Sequence, residues 1–186
     1  QLDVAASILG SGKNSRLYQA LVYKNQLVNT VTVYVEEHEL TSIFTIDTTL
    51  KEGTTLEQVN QIIDAELQRF LDEGPTQEEL VRVKTQNNAS LIRGLEQIGG
   101  FSGKANTLAQ GELYAGDPGF YRTSIGWMNA ATAESVRETA ATWLTRGRYQ
   151  LDVLPFGEHQ SAESKIDRST GLPPVGTLPD LAFPGI

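Results

Sequence analysis

The run from Val28 to Val35 constrains the fold more than any other stretch. Val31, Val33 and Val35 alternate with Thr30, Thr32 and Tyr34. A two-residue period built on β-branched side chains suits a pleated strand buried on one face. Glu36, Glu37, His38 and Glu39 form a polar turn, and Thr41 to Leu50 makes a second run, with Phe44 and Ile46 on one face and Ile43 and Thr45 on the other. The pair predicts an antiparallel hairpin. Most other segments have helical spacing, so the expected fold is α+β, a two-layer arrangement with the helices on one face of an antiparallel sheet.

Ahead of the hairpin, Leu2, Ala5, Ala6 and Leu9 share one helical face, and Gly10 stands where the helix ends and a positive φ is expected. Gly10 and Gly12 flank Ser11 and leave room for the backbone to approach another surface closely. Ser15 is the expected N-cap of a helix over 15–25 that carries Leu17, Ala20, Leu21 and Lys24. This glycine corner matches neither G-x-G-x-x-G nor the Walker loop, and its plain reading is a helix-loop-helix turn.

After the hairpin, Thr54 and Glu57 have capping-box spacing before a helix marked by Leu56, Val59, Ile63, Leu67 and Phe70. Gly74-Pro75 ends that helix, with Gly74 expected as a left-handed cap. Thr76 and Glu79 repeat the capping pattern ahead of Leu80, Val83, Leu91, Leu95 and Ile98. A helix over 101–115 follows the break at Gly99-Gly100, and Pro118 favours a further helix start. Thr132 caps a last helix with Ala133, Val136, Ala140 and Trp143. Tyr149, Leu151 and Val153, alternating with Gln150, Asp152 and Leu154, predict a final strand stopped by Pro155. The expected domain covers 1–157, and 158–186, with Pro173, Pro174, Pro179 and Pro184, reads as a linker or tail. Three strands are few for so many helices, so more strands are expected before Gln1, the sheet being truncated on its N-terminal side.

Residue chemistry limits the function. A net charge of −8 disfavours nucleic acid and anionic membrane surfaces. No apolar run reaches the ~20 residues of a membrane helix. With no cysteine, disulfides, thiolate metal sites and thiol nucleophiles are excluded. His38 lies among Glu36, Glu37 and Glu39, but a charge run at a turn is by default a solvated face, and zinc needs at least three converging ligands. The only other histidine, His159, is in the tail. No metal site or cofactor, and no catalytic residue, is therefore expected in this chain. Asp72-Glu73 and Glu78-Glu79 suit helix ends, and Trp127, Trp143, Phe101 and Tyr114 are expected in core packing rather than in a binding stripe.

Four passages, in order, resemble the pitrilysin-type zinc peptidases, the family of insulin-degrading enzyme and the mitochondrial processing peptidase. Ile8-Leu9-Gly10-Ser11-Gly12 leading into Ser15-Arg16-Leu17-Tyr18 is similar to the family's I-L-G-G-G…S-R-L-[FY]. Thr76-Gln77-Glu78-Glu79-Leu80 with Lys84 resembles T-x-E-E-L-x-x-x-K, Gly116-Asp117-Pro118 with Phe120-Tyr121 resembles G-D-P-x-[FY]-[FY], and Thr132 to Val136 resembles T-A-E-x-V. The resemblance implies the non-catalytic C-terminal domain, with zinc and its H-x-x-E-H motif in a preceding domain of the same chain. It implies a second half or partner subunit closing a clamshell, an extended peptide as substrate, and a weak leaning to the bacterial periplasm. It also makes Gly10, Ser11, Gly12 and Lys13 candidate substrate-facing residues, since the processing peptidase has a longer glycine-rich loop there. Some family members place an arginine and a tyrosine at positions that are Val22 and Asn29 here. That departure puts direct participation in chemistry in doubt and leaves three readings: chamber-walling domain of a peptidase, structural subunit of the same fold, or peptide-binding module.

Overall fold

A computed structural model of the chain describes residues 1–38, 40–100, 103–155 and 157. Contacts divide the chain into Gln1–Arg148 and Tyr149–Ile186. The first unit runs through α1 (Leu2–Gly10), a π-helix (Tyr18–Lys24), β1 (Val28–Glu37), β2 (Ser42–Leu50), α2 (Leu56–Glu73), α3 (Gln77–Glu96), α4 (Lys104–Ala115), α5 (Tyr121–Ala130) and α6 (Ala133–Trp143). The fold is α+β, as expected.

β1 and β2 pair antiparallel with Val35 opposite Phe44 and Val33 opposite Ile46. The register slips between Val28 and Thr30, leaving Asn29 as an extra residue in β1. That bulge changes the alternation by one, so Val28 and Val31 are both buried. Against this face lie α1 and the π-helix, and α3 and α6 pack on α1 in turn. One cluster joins Ile8, Leu9, Leu17, Leu21, Val33, Phe70, Leu80 and Val136. The opposite face of β1 exposes Thr30, Thr32 and Tyr34.

Helix starts follow side-chain capping. Thr76 Oγ1 accepts from the Glu79 amide while Glu79 Oε2 accepts from the Thr76 amide, the reciprocal box expected for α3. For α2 the box is one residue later than the sequence spacing suggests, on Thr55 and Gln58. Thr132 caps α6 with Ser135 as its reciprocal partner.

Other expectations are corrected. The segment 149–155 forms no strand. Alternation alone does not make one, because a strand needs a neighbour to take its backbone hydrogen bonds. The helix expected over 15–25 is mostly a π-helix, closed where the Asn25 amide and the Asn25 Nδ2 both donate to the Ala20 carbonyl. Gln26 follows at φ 52. Gly74 takes φ 72 and ψ −173, outside the left-handed helical region expected of it. α3 stops at Glu96, leaving Ile98 exposed. Trp127, Trp143 and Tyr114 are on the surface, at 63%, 55% and 73% exposure, and not in the core. Helical spacing places them on a face but cannot say whether that face is covered. Phe101, His159, Pro173, Pro174, Pro179 and Pro184 lie outside the described residues.

Candidate functional site

Gly10 is the last residue of α1 and is buried against β1. A Cβ placed on it would lie 2.5 Å from the Val33 amide nitrogen and 2.6 Å from Val33 Cβ. Close approach, not positive φ, is what requires glycine there. The positive φ falls two residues on, at Gly12 with φ 77. Between them Ser11 is extended and donates its amide to the Ser7 carbonyl at 3.0 Å. The Gly12 carbonyl accepts both the Ser15 amide at 3.1 Å and the Ser15 hydroxyl at 2.7 Å. Ser15 therefore ties the loop back on itself and does not cap the following helix with its side chain. Ser11, Gly12 and Lys13 are exposed, and the Lys13 carbonyl accepts from Gln19 Nε2 at 2.7 Å. Of the four substrate-facing candidates, three form a projecting loop and the fourth presses that loop's root onto β1.

The next residue, Arg16, anchors the corner. Its Nε donates to Glu79 Oε1 and its Nη2 to Glu79 Oε2, both at 2.8 Å, a two-point pairing suited to guanidinium and carboxylate. Nη2 also donates to the Gly74 carbonyl at 2.8 Å, and the guanidinium stacks 5.1 Å from the Phe70 ring centroid. The Arg16 and Glu79 side chains are only 7% and 13% exposed. The hydrogen bond from Arg16 to Glu79 raises the guanidinium's pKa further, against the opposing effect of burial. For Glu79, burial pushes the carboxyl up, but the hydrogen bonds from Arg16 and Thr76, with the Arg16 charge, outweigh it and hold it below its ordinary value. One carboxylate thus caps α3 and neutralises the buried cation beside the loop. Lys84, the lysine of the same α3 passage, donates to the Asn129 and Ala131 carbonyls, each at 2.7 Å, and closes the end of α5.

Sequence reasoning gave Arg16 no role and Glu79 only a capping one, although both stand in passages that carried the resemblance. Those passages meet in this ion pair. Val22 is partly buried against the core, and Asn29 is the bulge residue, its Nδ2 donating to the Leu50 carbonyl at 3.4 Å. His38 approaches one carboxylate, Glu36 Oε2 at 3.9 Å, with both side chains about half exposed. Among the described residues no three histidine, aspartate or glutamate side chains converge as a zinc site would need. No helix among the described residues is long and apolar enough to cross a membrane.

Residues 1–87 match the family described as peptidase M16 inactive domain. No curated protein sequence matches the chain. Its fold is similar to the inactive peptidase domain of a protein assigned as a zinc protease from Bordetella parapertussis, at TM-score 0.69 and 23% identity over 88% of this chain and 85% of that one. It is also similar to a protein assigned as a zinc protease from Bordetella pertussis Tohama I, at TM-score 0.65 and 22% identity over 81% and 84%. A protease from Helicobacter pylori superposes at TM-score 0.68 and 22% identity over 77% of this chain, which spans 34% of that one. Residues 1–87 are thus similar in sequence to the peptidase M16 inactive domain, and the fold is shared with the inactive peptidase domain from Bordetella parapertussis.

Proposed function

We propose that this chain walls the substrate chamber of a zinc metalloendopeptidase and helps to hold an extended peptide, while a preceding or partner domain supplies zinc and the water-activating residues. The observation that carries this reading is the projecting Ser11–Lys13 backbone, held by Gly10 on β1 and by the Arg16–Glu79 pair. A loop with small side chains and a fixed root offers its main-chain groups to a peptide at little entropic cost. Val22 and Asn29, in place of the family's arginine and tyrosine, favour a second reading, a structural subunit that keeps the fold without proteolysis.

The deciding experiment combines the full chain with a zinc-loaded domain of the pitrilysin type that carries H-x-x-E-H and follows cleavage of an unfolded peptide. The chain alone is expected neither to hold stoichiometric zinc nor to cleave. Adding it is expected to raise the partner's kcat/KM. One tightly held zinc per chain with hydrolysis by the chain alone overturns the assignment. Stable association without any change in cleavage selects the structural subunit.

A further inference from the structure

Helix α5 buries none of its residues, and polar contacts hold it to α3. Lys84 grips its C-terminal carbonyls, and Asn88 Nδ2 donates to Asn129 Oδ1 at 2.9 Å. The helix borders an open groove of about 760 Å³, flanked by the start of α1, the end of β1 and Leu91 of α3. That volume lies in the range of pockets that hold small ligands or short peptide segments.

The lining has a definite chemistry. Phe120 and Trp127 meet edge to face, centroids 5.6 Å apart and planes at 81°, so their rings stand as adjoining walls. Trp127 is 63% exposed beside Tyr121 and Ile125. Asp3 and Glu37 line the same groove, and among the described residues neither forms an ion pair. No lysine or arginine lines it. The ring of Tyr121 already attracts a cation, with the Arg122 guanidinium 5.4 Å from its centroid. Aromatic faces and carboxylates without an ion-pair partner among the described residues both favour a positive ligand, and the apolar lining favours one with hydrophobic flanks.

We propose that this groove binds a short extended peptide segment in which a lysine or arginine stands between large apolar side chains. The cation lies against Trp127 and Phe120, and Asp3 and Glu37 balance its charge. An acidic segment is excluded by repulsion. The peptide nature of the ligand rests on the function proposed above, whereas its charge and its apolar flanks follow from the lining alone.

The test uses the full chain carrying Trp143→Phe, so that Trp127 is its one tryptophan. It is titrated with a five-residue peptide alternating leucine and arginine, and with counterparts in which glutamine or glutamate replaces arginine. The arginine peptide is expected to shift Trp127 emission to the blue and to bind about tenfold tighter than the glutamine peptide. The glutamate peptide should not bind. Trp127→Ala, read by polarisation of labelled peptide, should weaken binding about tenfold with an unchanged melting temperature, because the side chain supports no core. Asp3→Asn with Glu37→Gln should bring the arginine and glutamine peptides within about twofold of each other. Equal affinity for all three peptides, or binding indifferent to Trp127→Ala, overturns the proposal. No zinc partner enters this measurement, so selective binding without enhanced cleavage in the combined assay would reject the peptidase role and keep the groove.

Discussion

Gly10 and Gly12 are two residues apart and needed for different reasons. Gly10→Ala puts a methyl group against the Val33 backbone nitrogen, which cannot rotate away, and should cost about 3 kcal/mol. Adding Val33→Ala should not restore stability, because Val33 Cβ and the amide remain in place. Gly12→Ala meets nothing within 4 Å and should cost about 1 kcal/mol through its positive φ alone. Chemical denaturation of the three variants separates overlap from backbone strain. At Arg16, Glu79→Gln leaves a buried guanidinium without its counter-charge and should cost about 3 kcal/mol at neutral pH. Because the folded state holds the Glu79 carboxyl below its ordinary value, the pair's stabilisation is complete above the unfolded value of about 4.3 and is lost as pH falls through the folded one. Stability measured from pH 6 downward should therefore fall less steeply in Glu79→Gln than in the parent chain. Parallel acid limbs would show that the pair is not electrostatically coupled to folding.

At the scale of elements, local rules and tertiary needs divide the chain. Capping was readable because Thr76 and Glu79 reach only three residues along the helix, and replacing Thr76 by alanine should cost about 1 kcal/mol by thermal melting. The hairpin was readable for the same reason, its two-residue period setting Val33 against Ile46 without outside help. The bulge at Asn29 was not, since the alternation of Val31, Val33 and Val35 begins only after it. The segment 149–155 has the pattern of a strand without becoming one. Helix α5 depends on tertiary polar contacts more than on burial, so Lys84→Met should speed amide exchange in 121–130 while leaving α6 protected. Uniform exchange across both helices would mean that α5 is held by other means.

For the molecule as a whole, a single cluster unites α1, the hairpin and α2, α3 and α6, whereas α4 and α5 lie toward its edge with almost nothing buried. The glycine corner was legible as a corner, and its four residues as a group, but not the force that fixes it, because Arg16 and Glu79 are 63 residues apart. The sequence by itself determined the hairpin, the helix starts and the α+β class, since each follows from contacts within a few residues. Only the tertiary structure decided why Gly10 must be glycine, which carboxylate Arg16 pairs with, and that Trp127 faces solvent. Those outcomes depend on groups distant along the chain, and no local period or propensity records which of them will meet.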